Sequence, residues 1–269
     1  MNQLSFEEAE KEAANMRRLQ DVLIGIRRYE HTIIPQLLHA DFCVGRYPQY
    51  LRNMHEVYNR RNSDVVFGPK PSEFTENQSY VVMMFTPESF GDSIKPLVDE
   101  FPRSIGQARS ILWQIAHGLA DLEADPFNGE IRDLHPMNLV VEQVPRQTMW
   151  RGDNHYCNYG VQVGIVNTSS MRLDLSGGTD GIETNFFDIG RHQHLFEGNT
   201  ILEKTYREMR WVLDNDWERF EPKTNMLWLS YLAALFSQVV EPKGPVAQLA
   251  GLAQTFKKYR SATEICQYL

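Results

Sequence analysis

The stretch of sequence that decides the fold is Ile131-Arg132-Asp133-Leu134-His135-Pro136-Met137-Asn138. It sets an aspartate and an asparagine five residues apart, between two predicted elements of secondary structure. A carboxylate such as that of Asp133 can orient a hydroxyl group and accept its proton. The amide oxygen of Asn138 is a neutral ligand for a magnesium ion. The spacing therefore predicts a catalytic loop that combines a proton acceptor with a metal ligand.

The composition predicts a globular protein with a full hydrophobic core. With 269 residues, 42% of them hydrophobic, the chain is long enough for one large domain or two lobes. Its formal net charge of −8 argues against direct binding of nucleic acid or anionic membranes, whereas an acidic surface attracts a basic protein tail. Its three cysteines are odd in number and widely spaced, which favours a reducing compartment. No apolar run reaches the length of a membrane span. We expect an intracellular protein, nuclear or cytoplasmic.

Hydrophobic periodicity predicts the elements on both sides of the loop. Apolar residues recur every three or four positions from 105 to 124, so a helix leads into the loop. The predicted helices are residues 5–28, 105–124, 199–213, 223–238 and 244–259, and the predicted strands are 41–45, 80–85, 139–142 and 161–166. Residues 52–78 are predicted to form a helical turn and a loop, and residues 176–181 a turn.

The order of these elements predicts an α+β, protein-kinase-like fold. A helix, a loop with Asp and Asn at this spacing, and a hairpin follow one another in the larger lobe of protein kinases. We expect a truncated, mixed N-lobe over residues 1–88, with helix C and the strands after it. A mainly helical C-lobe with the catalytic loop is expected over residues 89–269, behind a hinge near 86–92. The structural alternative for the loop is a polar turn that caps a hairpin.

Five ordered stretches of the chain carry a resemblance to a known family. They are Phe6-Glu7-Glu8, the stretch 43–48, Arg132-Asp-Leu-His-Pro-Met-Asn138, the stretch 225–232 (Asn-Met-Leu-Trp-Leu-Ser-Tyr-Leu), and Phe256 with 261–263. Together they resemble the haspin family, a divergent branch of the eukaryotic protein kinases, over nearly the whole chain. The resemblance implies ATP-dependent phosphorylation, with magnesium, of a threonine near the amino terminus of a histone tail in the nucleus. It also implies that Asp133, Arg132 and Asn138 are the catalytic residues.

Several positions depart from the pattern of that family. Asn167 stands where the family has the metal-binding Asp, so the predicted metal ligands, Asn138 and Asn167, are both neutral. Ile131 replaces the His that starts the loop in kinases, which predicts weaker bracing. Arg132 is expected to brace the loop through carbonyls or a carboxylate. Lys204 falls near the place of an Asp that braces the loop in the family.

The part of the site that would bind the nucleotide is expected to lack two features of protein kinases. A glycine-rich loop and a strand Lys precede helix C in kinases, yet only five residues precede Phe6. Glu12 falls where helix C presents the Glu that pairs with that Lys, and a solvated helix carboxylate is the alternative. Phe85 stands at the gatekeeper position or is plain core, and Asp92 is placed to reach a ribose. These three residues are the predicted cofactor-binding residues.

Two functional hypotheses from different classes follow. The first is a haspin-like pseudokinase or very weak kinase that acts as a protein-binding module, with a histone tail or chromatin protein as a candidate partner and no required cofactor. The second is an active serine/threonine protein kinase that uses ATP and magnesium. A shortened gene sequence, whose full protein has the glycine-rich loop, is a third explanation. The loss of one preorganised charge typically costs a catalyst about 2.7 to 4 kcal/mol, so several losses favour the first hypothesis.

Overall fold

The computed structural model describes residues 10, 13–14, 16–17, 33–34, 37–61, 79–85, 95–97, 101–151, 154–177, 181–240 and 246–266. Within these ranges the helices are α1 (Gln49–Arg61), α2 (Ile105–Glu123), α3 (Ile201–Val212), α4 (Lys223–Val239), α5 (Val246–Phe256) and α6 (Ala262–Ile265). The strands are β1 (Leu37–Val44), β2 (Ser79–Phe85), β3 (Lys95–Pro96), β4 (Glu130–Ile131), β5 (Leu139–Gln143), β6 (Thr148–Arg151), β7 (Asn154–Cys157), β8 (Val161–Ile165), β9 (Met171–Gly177) and β10 (Gly181–Asn185). This is an α+β fold, as predicted.

The strands form small antiparallel sheets. β1 pairs with β2, β6 pairs with β7, β5 lies between β3 and β8, and β9 lies between β10 and β4. In the last of these sheets Glu130 is opposite Arg172 and Ile131 is opposite Met171. This pairing fixes the start of the loop that contains Asp133. The pairing of β5 with β8 fixes the other end, because Leu139 is opposite Ile165.

Helix α2 has the buried face that its periodicity predicts. It begins at Ser104, whose hydroxyl accepts a hydrogen bond from the backbone N–H of Gln107 (3.2 Å). Its buried apolar side chains are those of Ala108, Ile111, Leu112, Ile115, Ala116, Leu119 and Leu122. The hydrophobic face packs against the core, and the predicted helix at 105–124 is confirmed.

Helix α4 is buried around most of its circumference and forms the centre of the helical part. Met226, Trp228, Leu229 and Leu232 have no exposed surface. A helix that is apolar on all sides belongs in a core, which explains why its sequence shows little amphipathic contrast. It packs against α5, where the Ser230 hydroxyl donates to the carbonyl of Ala253 (2.9 Å).

A buried carboxylate joins three helices. Glu123 ends α2 and is only 8% exposed. Its Oε1 accepts hydrogen bonds from Asn225 Nδ2 (3.0 Å) and the Ala262 N–H (2.9 Å), and its Oε2 accepts from the N–H (2.8 Å) and hydroxyl (2.9 Å) of Thr263. Burial raises the pKa of Glu123, and these hydrogen bonds oppose that rise. The end of α2, the start of α4 and α6 are therefore held together by one side chain.

Two parts of the fold differ from the expectation. The stretch predicted as a helical turn and a loop from 52 includes most of α1, a helix of 13 residues. Within α1, Glu56 lies 3.6 Å from Arg60, one turn further along the helix. Its apolar residues Tyr50, Met54 and Val57 are spaced three or four apart, but they are exposed. The polar segment before β8 contains the β6–β7 hairpin, in which Trp150 is 69% exposed. Among the side chains that the structure describes, neither element shows the buried apolar face on which the prediction relied.

The other predicted elements have mixed outcomes. Of the turn predicted at 176–181, residues 176–177 end β9, residue 181 begins β10, and residues 178–180 lie outside the described residues. The pairing of β9 with β10 was not predicted. Of the helix predicted over 5–28, residues 10, 13–14 and 16–17 are helical, and the rest lies outside the described residues. Ala13 and Met16 are buried, as their place on the predicted apolar face requires. No helix in the described part of the chain combines the length and apolarity needed to cross a membrane.

Candidate active site

The loop from Ile131 to Asn138 is fixed at both ends by backbone hydrogen bonds. The N–H of Ile131 donates to Oδ1 of Asn225 at the start of α4 (3.1 Å). At the other end, the carbonyl of Asn138 accepts from the N–H of Val166 (3.0 Å). Between them, His135 accepts a hydrogen bond from the N–H of Met137 through Nδ1 (3.2 Å) and so caps a short 3₁₀ turn. The loop is therefore held in one conformation.

Asp133 is held by a tyrosine that the sequence did not single out. The hydroxyl of Tyr206, on α3, donates to Oδ1 of Asp133 (2.5 Å). Burial raises the pKa of Tyr206, and the negative charge of Asp133 raises it further, so the phenol stays a neutral donor at physiological pH. Nε2 of His135 lies 3.5 Å from the same oxygen. The Asp133 side chain is 22% exposed, so it remains reachable from solvent.

The two predicted metal ligands lie close together, and their side chains are hydrogen-bonded to each other. Nδ2 of Asn167 donates to Oδ1 of Asn138 (3.2 Å), and Nδ2 of Asn138 donates to the carbonyl of Asp133 (2.8 Å). Oδ1 of Asn167 accepts from the N–H (3.0 Å) and the hydroxyl (2.6 Å) of Ser169. Both amide oxygens thus already have protein partners. In the ranges that the structure describes, no group of three or more His, Cys, Asp or Glu residues is arranged to hold a metal.

Arg132 braces the loop through a carboxylate and two carbonyls, as the sequence predicted. Its side chain has no exposed surface, and Nε donates to Oε2 of Glu130, itself fully buried (3.1 Å). The two terminal nitrogens donate to the carbonyls of Trp217 and Arg219. Burial lowers the pKa of Arg132, and the charge of Glu130 opposes that shift. A side chain so enclosed does not touch substrate; it fastens the loop to the segment before α4.

The expectation about Lys204 is wrong, because another residue takes the bracing role. Lys204 is exposed on α3. The backbone at Ile131 is instead held by Asn225. Ile131 itself is 1% exposed and belongs to the core. Ile131, which stands in place of the loop's first His, therefore packs its side chain in the core. Its backbone N–H is held by Asn225, 94 residues further along the chain.

The structure does not test the three predicted cofactor-binding residues. Phe85 ends β2, where it is opposite Leu37. Glu12 and Asp92 lie outside the described residues. The nucleotide side therefore stays a prediction.

Tyr206, Asn225 and Glu130 are the site residues that sequence reasoning missed. A tyrosine on the buried face of a predicted helix needs a partner for its hydroxyl, and that is the one signal that could have pointed to Tyr206. Glu130 precedes the loop, and a carboxylate next to Arg132 is a candidate ion-pair partner. Asn225 begins the stretch 225–232 that carries the family resemblance, but no local pattern indicated that it would hold Ile131, because the two residues are distant along the chain.

The family follows from comparison with known proteins. Residues 6–263 match the family described as Haspin like kinase domain. The chain belongs to this haspin-like kinase family. The resemblance to haspins is therefore confirmed, and with it a protein-kinase-like fold.

Haspin-like kinases from animals and plants are among the curated relatives. The serine/threonine-protein kinase haspin of Bos taurus is 30% identical, over 86% of this chain and 30% of its own length. That of Mus musculus is also 30% identical, over the same shares of each chain. The serine/threonine-protein kinase haspin homolog of Arabidopsis thaliana is 29% identical, over 82% of this chain and 36% of its own length. The chain therefore spans about a third of the length of these relatives.

Within this haspin-like site, the proton acceptor and the metal ligands differ in how well they fit their roles. Asp133 is ordered by Tyr206 and partly exposed, as a group that receives a substrate hydroxyl must be. Asn138 and Asn167 offer neutral amide oxygens, whereas magnesium prefers hard anionic oxygen. The residues present fit a proton acceptor and do not fit a strong magnesium site.

Proposed function

We propose that this haspin-like domain is a pseudokinase, or a very weak kinase, that acts as a protein-binding module. The observation that carries the proposal is the hydrogen bond from Asn167 to Asn138 (3.2 Å). This bond joins the two residues that would hold magnesium, and both are neutral. A magnesium ion that binds there must break the hydrogen bond, and neither residue offers it a negative charge.

The energetics support low activity. Phosphoryl transfer depends almost entirely on positioned phosphates and metal charge. The removal of one preorganised group from such a site typically costs about 2.7 to 4 kcal/mol of transition-state stabilisation, which is a factor of about 10² to 10³ in rate. Ser169 adds to the effect, because its N–H and hydroxyl occupy the one amide oxygen of Asn167.

Restoring the missing charge tests the proposal. The wild-type protein, heated with ATP, should show the same melting temperature with and without magnesium. Asn167→Asp should gain a magnesium-dependent rise, since binding at 100 times Kd stabilises a protein by about 2.7 kcal/mol. Asn167→Leu, which removes both the charge and the oxygen, is the matched control and should not respond.

An active serine/threonine protein kinase is the second candidate, and the ordered Asp133 favours it. It makes a different prediction for the wild-type protein. If ATP with magnesium stabilises the wild type, if it phosphorylates a histone-tail peptide, and if Asp133→Ala abolishes that phosphorylation, the pseudokinase proposal is wrong. ATP and magnesium are then its cofactors.

The proposed partner is a basic segment of another protein, with a histone tail or a chromatin protein as the leading candidates. The net charge of −8 supports this choice. Fluorescence anisotropy with a labelled histone-tail peptide, in the absence of nucleotide, should give saturable binding that weakens with salt. Absence of binding at low salt would remove this partner. A nuclear or cytoplasmic location, and a division into two lobes after residue 88, belong to the same proposal.

A further inference from the structure

A cavity of about 270 Å³ lies between α2, β7 with the turn after it, and α5. Asp133, Asn138 and Asn167 are not among its lining residues. It is therefore separate from the candidate active site. Its size is just below the range of typical small-molecule sites, which suits a compact ligand.

Flat apolar surfaces form the walls of this cavity. The rings of Trp113 on α2 and Tyr156 on β7 are stacked, with centroids 3.6 Å apart and planes 25° apart. Leu252 and Phe256 of α5 also line it. His117 lies against Trp113 as well (centroids 3.7 Å apart), so both faces of the indole are covered and Trp113 offers its edge to a ligand. Ring edges of this kind favour edge-to-face contact with a planar aromatic body.

One arginine lines the cavity and a second lies next to it. Arg109 lines it, is exposed, and has no hydrogen bond or ion pair to any residue that the structure describes. Arg146 lies over the ring of Tyr159, another lining residue (4.7 Å from its centroid). No carboxylate is among the lining residues within the described ranges. In a chain with a net charge of −8, this is a local excess of positive charge that an anionic group would neutralise.

The cavity is preformed, because a buried hydrogen-bond network holds the elements around it. The Ser110 hydroxyl donates to the carbonyl of Asn158 (3.1 Å). Gln114 donates to the Ser110 hydroxyl (3.0 Å) and to the carbonyl of Val161 (3.0 Å). A ligand that enters therefore orders little of the protein, which reduces the free-energy cost of binding.

We propose that this cavity binds a small aromatic acid, a ligand in which one planar aromatic body carries one anionic group. The aromatic body packs against the edges of Trp113 and Tyr156 and against Leu252, and the anionic group lies at the rim near Arg109. This binding is independent of nucleotide, so its failure and the failure of the pseudokinase proposal are distinguishable.

Cys157 provides a reporter for binding, because it lines the cavity. The Tyr159 N–H (3.4 Å) and Arg146 Nε (3.4 Å) both donate to its sulfur. The bond from Tyr159 lowers the pKa of Cys157; burial opposes this, and Arg146 lowers it further. The thiol should react readily with a neutral alkylating reagent, and a ligand in the cavity should shield it.

The test measures alkylation of Cys157 by iodoacetamide in the full chain, with mass spectrometry of the peptide that contains it. The probe is 1-naphthaleneacetate, with the uncharged 1-naphthalenemethanol as its matched analogue. The acid should slow alkylation of Cys157 with a Kd of about 1 mM or below and leave Cys43 unaffected. The uncharged alcohol should protect about fivefold less well.

Variants separate the two parts of the proposed site. Arg109→Ala should weaken protection by the acid to the level of the alcohol, whereas Arg191→Ala, an exposed arginine outside the cavity, should not. Leu252→Trp fills the cavity and should abolish protection by both compounds, with circular dichroism to show that the fold is intact. No protection at several millimolar acid, or equal protection by acid and alcohol, overturns the proposal.

Discussion

Replacement of Arg132 by methionine should destabilise the protein rather than act only on catalysis. Arg132 and Glu130 are both fully buried, and they lie 3.1 Å apart. Methionine retains much of the side-chain volume but supplies no charge and no donor. Glu130 would keep its hydrogen bonds from the Glu221 N–H and the Thr224 hydroxyl (both 2.5 Å). It would lose the positively charged guanidinium group that compensates its own charge.

The magnitude follows from what remains buried. Removal of one partner of a buried ion pair costs about 3 to 5 kcal/mol, because the other charge is left uncompensated. The carbonyls of Trp217 and Arg219 would also lose their donors. We therefore expect the free energy of unfolding to fall by about 3 to 5 kcal/mol, a large part of the stability of an ordinary domain.

Urea denaturation of the wild type and the variants measures this loss. Arg219→Ala is the matched control, since its side chain is 49% exposed in a surface pair with Glu221 and should cost at most about 1 kcal/mol. The double variant Glu130→Gln/Arg132→Met should be more stable than Arg132→Met alone, because no buried charge is left unpaired. A loss below about 1 kcal/mol for Arg132→Met, or a double variant less stable than the single one, would refute the bracing role.

Three further substitutions have expected outcomes in the same denaturation assay. Tyr206→Phe removes the bond to Asp133 and should cost about 1.5 to 3 kcal/mol at pH 7. Because the folded-state pKa of Tyr206 is raised above the unfolded value near 10, the wild type should lose stability as pH rises above about 10, and the variant should lose less; equal losses would contradict this. Asn158→Ala removes three hydrogen bonds that hold the turn before β8 and should cost about 2 to 4 kcal/mol; a cost below about 1 kcal/mol would contradict it. Thr168→Val should leave stability unchanged or raise it by up to about 1 kcal/mol, since the buried Thr168 hydroxyl has no hydrogen-bond partner among the described residues; a clear loss would reveal one.

The helices with buried apolar faces could be predicted closely from the sequence. The helix predicted at 105–124 is found at Ile105–Glu123, and that predicted at 223–238 is found at Lys223–Val239. Burial of these helices requires apolar residues at helical spacing, and this spacing is visible in the sequence. α1 has exposed apolar side chains, among them Met54 (62% exposed), and its polar sequence favoured a loop.

The candidate site could be predicted only as far as its local spacing. The five-residue interval between Asp133 and Asn138 is a property of one loop, and it identified both residues. The contacts that hold the loop join residues far apart in sequence: Tyr206 reaches Asp133 across 73 residues and Asn225 reaches Ile131 across 94. Such contacts depend on how helices pack, which no local pattern encodes.

The carboxylate of Glu123 has a consequence for any attempt to shorten the protein. Three of its four hydrogen bonds come from Ala262 and Thr263, in the last helix that the structure describes. Cleavage or deletion before Ser261 would leave an acid at the centre of the helical half with one remaining donor, Asn225. The loss of Ala262 and Thr263 would therefore act like a substitution in the core.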